Sequence, residues 1–196
     1  MKELANISIK IFSNIVPDNI EHIYCFAHNI INISCMAKSI NNYNYNNIYL
    51  LNNKKSMSGV LSYNDVSAHY NKYNINTSSI PYNECHTSIN TRIECEAIVD
   101  WIQNNNIKQL VICAPPYHIL RAFMTLSSVC IERNVYIKIY IINGVVENWN
   151  DITITHSGNT ITTFNNVIDM EIERIYKYTK KGDILDCDTI WDFIMK

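Results

Sequence analysis

The stretch Leu110-Val111-Ile112-Cys113-Ala114-Pro115-Pro116-Tyr117-His118-Ile119-Leu120-Arg121-Ala122 joins a continuous apolar run to an amphipathic segment. The apolar run is typical of a strand that is buried on both faces, as in a parallel sheet covered by helices. A proline disfavours helical geometry in the residue before it and suits the first turn of a helix. We therefore expect a strand over Gln109 to Ala114 and a helix over Pro116 to Arg133.

Short apolar runs and amphipathic stretches of helical length alternate on both sides of this stretch. The pattern predicts an α/β fold, a Rossmann-like three-layer sandwich with a mostly parallel central sheet of about five strands. No linker or repeat is visible, so residues 1–196 are expected to form a single domain. The remaining predicted strands are Ile20 to Ala27, Ile48 to Asn52 and Tyr136 to Asn143, with a short one near Asp151 to Thr155. The remaining predicted helices are Asn29 to Asn41, Ser62 to Tyr73, Thr91 to Asn104, Thr163 to Thr179 and Asp188 to Met195.

The composition narrows the classes of partner. The chain has 196 residues, 47% of them hydrophobic, and a net charge of −2. Such a chain can bury a core, and it lacks the basic field that would attract nucleic acid or an anionic membrane. No apolar run is long enough to cross a bilayer, so we expect a cytoplasmic protein whose partner is a small molecule. Abundant asparagine and isoleucine indicate an AT-rich genome.

Cysteine and histidine spacing gives no support for a metal site. The seven cysteines are scattered, lack Cys-x-x-Cys spacing and lie mostly in apolar runs, which is typical of reduced core residues. No glycine-rich phosphate loop and no Gly-x-Ser-x-Gly nucleophile motif is present. These absences argue against a metalloprotein and against hydrolysis by a nucleophilic serine.

His118 and Arg121 lie three residues apart near the start of a predicted helix. The N-terminal end of a helix favours negative charge, so the pair could hold an anionic oxygen, with Arg121 as a two-pronged donor and His118 as a proton donor or acceptor. The alternative is an internal brace in which Arg121 pairs with Glu94 or Glu96.

Two segments carry a resemblance to a known family. The first runs from Thr87 to Ala97 and contains Ser88, Asn90, Thr91 and Glu94; the second ends in His118-Ile119-Leu120-Arg121-Ala122. In this order they resemble the motifs of the YdcF-like family, which includes the SanA and ElyC proteins. More loosely, the resemblance covers residues 20–180.

The resemblance implies a ligand site at the carboxyl ends of the strands, with His118 as acid or base and Arg121 as anion clamp. Ser88, Asn90, Thr91 and Glu94 would position the ligand, although Thr91 and Glu94 also fit an ordinary capping box. The residues expected to bind the ligand also include His28 and Asn29, which follow the first strand, and Lys54, which follows the second.

The implied ligand is a small anion: a nucleotide, a nucleotide sugar or a sugar phosphate. Whether the chain is an enzyme is left open, as is its oligomeric state. Because the turns after the first two strands lack the glycines usual in the family, the alternative is a non-catalytic ligand-sensing or protein-interaction module. S-adenosylmethionine binding is a weaker alternative, since no acidic residue follows the second strand at Asn52-Asn53.

Overall fold

A computed structural model describes residues 2–18, 20–26, 29–43, 45, 47–54, 61–82, 89–154 and 161–196. The strands are β1 (Ile23–Cys25), β2 (Asn47–Leu51), β3 (Asn76–Ile80), β4 (Gln109–Ala114), β5 (Lys138–Asn143), β6 (Ile152–Ile154) and β7 (Ile161–Thr163). The helices are α1 (Lys2–Ser13), α2 (Ile30–Asn42), α3 (Tyr63–Asn71), α4 (Thr91–Asn104), α5 (Ile119–Glu132), α6 (Phe164–Lys181) and α7 (Cys187–Ile194).

Five parallel strands form the central sheet in the order β3-β2-β1-β4-β5. Successive residues of β4 face opposite sides: Leu110 and Ile112 pack in one apolar core, Val111 and Cys113 in the other. Helices α1, α4, α5, α6 and α7 contribute to the first core, and α2 and α3 contribute to the second. The prediction of a three-layer α/β fold with a five-stranded parallel sheet is confirmed.

The fifth strand of the sheet is not the one that the sequence predicted. The segment near Asp151 to Thr155 forms β6, which pairs antiparallel with β7 in a separate hairpin. The fifth strand is β3, whose sequence Asn-Thr-Ser-Ser-Ile lies at the sheet edge and is apolar only at Ile80. An edge strand with a partly solvated face needs few apolar residues. Because the strands were predicted from apolar runs, β3 was not recognised in the sequence.

Helix α1 was also not predicted. Leu4, Ile7 and Ile11 form its buried stripe, but Ile9 and Phe12 are exposed and interrupt the helical period in the sequence.

Among the described residues, no helix combines the length and the apolar character that crossing a bilayer requires.

Asparagine ends three of the helices. Asn74, Asn106 and Asn134, which follow α3, α4 and α5, have φ of 60°, 53° and 55°. The next residue in each case returns a backbone bond to the last turn, as Ile107 N–H does to Ile102 O at 3.0 Å. This is a Schellman C-cap, and asparagine tolerates its left-handed position better than most residues do. The caps turn each helix back toward the next strand.

Candidate functional site

The chain reverses its direction of travel across the sheet between β1 and β4. From β1 it moves outward to β2 and β3, and then returns to β4 on the other side. The loops that follow β1 and β4 therefore run in opposite directions from the carboxyl ends of these two strands. Open α/β sheets bind ligands in the crevice that such a separation leaves. The stretch Pro115 to His118 follows β4 at this switch point, and Asn29 starts α2 beside it.

A buried cluster of charged residues joins α5 to α6 at this edge. Arg121 donates to both carboxylate oxygens of Glu171, from Nε to Oε2 at 2.5 Å and from Nη2 to Oε1 at 3.2 Å. His118 Nδ1 lies 3.2 Å from Oε2 of the same carboxylate. Arg174, one turn further along α6, donates from Nη1 to Oε1 at 2.5 Å. One carboxylate thus holds three basic side chains.

Helix α4 supplies the next contacts of this cluster. Arg121 Nη1 donates to Thr91 Oγ1 at 2.7 Å, so its guanidinium connects α4 with α6. Glu94, one turn along α4, accepts a hydrogen bond from the Tyr24 hydroxyl of β1 at 2.6 Å. Thr91, Glu94 and Arg121 are each at most 4% exposed. The structure therefore brings three residues of the two sequence motifs into this cluster, Thr91, His118 and Arg121, and places Glu94 one turn away in contact with Tyr24.

The electrostatics of the cluster favour an ionised Glu171. Burial alone would raise the pKa of this carboxyl, but the hydrogen bond from His118 and the charge of Arg121 outweigh burial and hold the pKa well below its usual range. For Tyr24, burial first and the neighbouring Glu94 second raise the pKa of the phenol well above its usual value. Tyr24 is thus a neutral donor and Glu171 a charged acceptor.

The start of α5 differs from the sequence prediction. The helix begins at Ile119, not at Pro116, because residues 115–118 form a turn in which His118 N–H and Ile119 N–H both bond to Pro115 O, at 2.8 and 3.1 Å. His118 is the N-cap residue and makes no side-chain cap hydrogen bond. By contrast α2, α3, α4, α6 and α7 are each capped by a side chain: Asn29, Ser62, Asn90, Thr163 and Asp186.

Several expected ligand residues have structural roles in the described part of the chain. Asn90 caps α4 by accepting from Ile93 N–H at 3.0 Å, so the expected capping box starting at Thr91 is wrong: Thr91 is already inside the helix. Asn29 caps α2 and also donates from Nδ2 to Ile154 O at 3.3 Å, which ties the β6–β7 hairpin to this edge. Lys54 is exposed. Ser88 and His28 lie outside the described residues.

The sequence analysis missed Glu171, on which the cluster depends. The buried residues of α6 are Phe164, Val167, Glu171 and Ile175, at the spacing of one helix face. A carboxylate on an otherwise apolar face is a signal that the sequence contained. The expected brace of Arg121 with Glu94 or Glu96 also has a different partner: Arg121 pairs with Glu171, and Glu96 pairs with Arg92 at 2.9 Å.

Within the described part of the chain, no group of three or more His, Cys, Asp or Glu side chains is arranged to hold a metal ion, and the six described cysteines are free thiols. Comparisons with models of protein families, with curated proteins and with solved structures found no match to this chain.

Proposed function

We propose that this chain is a YdcF-like small-molecule-binding protein whose ligand presents a phosphate or another anionic group to the N-terminal end of α5. The observation that supports this proposal is that α5 starts at the topological switch point without a side-chain cap, whereas five other helices have such a cap. Ile119 N–H is already bonded to Pro115 O, so the anion would meet the N–H groups that follow Ile119 in the first turn of α5, where the helix dipole adds positive potential.

His118 has the role of acid or base in this proposal. It is the N-cap residue of α5 and so adjoins the amides that would hold the anion. Nucleotides, nucleotide sugars and sugar phosphates all combine an anionic group with hydroxyls that could exchange a proton with an imidazole. These three classes are the proposed ligands.

Arg121 has a different role from the one that its position in the sequence suggested. Three of its five N–H groups are already engaged by Glu171 and Thr91. We assign it to holding the cluster together, and the α5 amides to holding the anion.

A second candidate, a non-catalytic ligand-sensing or protein-interaction module, is favoured by the burial of the same cluster. His118 is 5% exposed and Arg121 is 4% exposed, and the carboxylate of Glu171 already occupies the position at which an anion would meet Arg121. In this alternative the charged cluster only fastens α6 to α5.

A thermal-shift screen separates the two candidates. The compounds are inorganic phosphate, adenosine monophosphate, uridine diphosphate glucose, glucose 6-phosphate and S-adenosylmethionine. A ligand at about 100 times its Kd stabilises the fold by about 2.7 kcal/mol, which raises Tm by roughly 5–10 °C in a chain of this size. S-adenosylmethionine as the sole hit would favour that cofactor over a phosphorylated ligand.

The matched variants are His118→Gln, which can still donate to Glu171, and His69→Gln on α3, which lies outside the cluster. The proposal predicts that His118→Gln weakens the stabilisation, because the imidazole adjoins the amides that hold the anion, and that His69→Gln keeps it. No shift with any compound, for a folded parent protein, would support the protein-interaction form of the non-catalytic module instead.

A further inference from the structure

We propose that Glu171 is the positioning residue of His118: its carboxylate keeps the imidazole proton on Nδ1, so that Nε2 is the nitrogen that accepts a proton from the ligand. This inference rests on the proposed function, since it names the residue that would prepare His118 for proton transfer. The observation behind it is the buried contact of His118 Nδ1 with Glu171 Oε2 at 3.2 Å.

The position of the proton follows from the surroundings of Glu171. Its two oxygens receive three N–H bonds from Arg121 and Arg174, and its side chain is 3% exposed. A carboxylate paired with two guanidinium groups stays ionised, and an ionised carboxylate can only accept hydrogen bonds. Nδ1 must therefore be the donor in the contact with His118. In the neutral imidazole, the lone pair then belongs to Nε2.

The imidazole is also restrained by its other neighbours. Phe26 meets its ring edge to face, with centroids 5.9 Å apart and planes at 85°. The carboxylate itself is fixed by Arg121, which Thr91 holds from α4. A base oriented by a carboxylate that is in turn held by further hydrogen bonds is preorganised for proton transfer.

The chemistry assigned to His118 is proton acceptance from a ligand hydroxyl or a bound water. The O–H bond breaks, its electron pair stays on the oxygen, and a new N–H bond forms at Nε2. The negative charge of Glu171 beside Nδ1 favours the resulting imidazolium, whereas the positive charges of Arg121 and Arg174 on the same carboxylate oppose it. Arg121 and Thr91 act on this step through Glu171, and neither is assigned a contact with the reacting atoms.

Nitrogen-15 NMR of protein labelled at histidine tests the assignment directly. The resonances of His118 are identified by their loss in His118→Gln. At a pH where the imidazole is neutral, the parent protein should show a protonated Nδ1 and a lone-pair Nε2. In Glu171→Gln the side-chain amide can donate to Nδ1, so this preference should weaken or reverse. The control Glu173→Gln, an exposed carboxylate on the same helix, should leave the parent pattern unchanged.

Titration with inorganic phosphate distinguishes positioning for function from simple structural pairing. Phosphate should move the Nε2 resonance of the parent protein and of Glu173→Gln, and should move it less in Glu171→Gln. A proton on Nε2 in the parent protein would overturn the inference even if phosphate stabilised the fold, and the proposed function would then survive without it. An Nε2 resonance that stays unchanged while phosphate raises the Tm would overturn the positioning role, since a purely structural pair predicts that result. If phosphate changes neither the resonance nor the Tm, the proposed function itself fails. The tautomer measurement on the parent protein does not use Glu171→Gln, so poor folding of that variant cannot hide the outcome.

Discussion

Replacing Glu171 by glutamine should destabilise the fold more than any other single loss of a carboxylate on α6. The substitution removes the negative charge that faces Arg121, whose side chain is 5% exposed and makes two of its hydrogen bonds to this carboxylate. Removing one partner of a buried ion pair leaves an uncompensated charge and costs about 3–5 kcal/mol. Glutamine keeps one acceptor oxygen and Arg174 adds a second cation nearby, so we expect about 3 kcal/mol.

Urea unfolding followed by circular dichroism measures this loss. With an m-value of about 2 kcal/mol/M, the midpoint should fall by roughly 1.5 M. Glu173→Gln makes the same change of charge at an exposed position on the same helix and should change the free energy of unfolding by less than about 0.5 kcal/mol. Replacing both partners, as Arg121→Met with Glu171→Leu, should cost less than the sum of the two single changes. If Glu171→Gln and Glu173→Gln had equal midpoints, the buried charge cluster would not exist in solution.

Three further predictions follow from single contacts. The folded-state pKa of Glu171 lies below its ordinary value of 4.5. The stability that Glu171 contributes is therefore complete above pH 4.5 and is lost as the pH falls below 4.5, by at most about 1.4 kcal/mol per pH unit. The urea midpoints of the parent protein and of Glu171→Gln should accordingly converge in acid. Asn106→Ala should lower the free energy of unfolding by about 1 kcal/mol because φ of Asn106 is 53°, whereas Asn106→Gly should be close to neutral. Equal losses for these two variants would contradict the left-handed cap. A similar loss for Asn104→Ala, which lies inside the helix, would also contradict it. Tyr24→Phe should cost about 1–3 kcal/mol by removing the buried hydrogen bond to Glu94, and an unchanged urea midpoint would show that this bond contributes nothing.

Local sequence patterns were sufficient for most of the fold. The strand over Gln109 to Ala114 and the helix over Thr91 to Asn104 were predicted with the observed bounds. Both have strong local signals: a β-branched apolar run buried on both faces, and a helical period that ends in an asparagine-rich turn. Elements with weak or mixed patterns, β3 and α1, were missed because their burial depends on which neighbours cover them.

Fewer features of the candidate site could be predicted. His118 and Arg121 were predicted to lie near the start of a helix at the carboxyl end of a strand, and they do. The alternative brace of Arg121 with Glu94 or Glu96 was wrong, and no specific partner was predicted for His118, because Glu171 lies 50 residues away from Arg121 in the chain. No local pattern specifies a contact over that distance.

Local sequence is enough to specify the alternation of strands and helices and the switch from strand to helix at Pro115-Pro116, because backbone preference and hydrophobic period act over a few residues. By contrast, the packing of α6 against α5, which presents Glu171 to Arg121 and His118, depends on contacts between distant parts of the chain. The physical reason is that burying a charge is tolerated only where an opposite charge meets it, and that meeting depends on how distant elements pack.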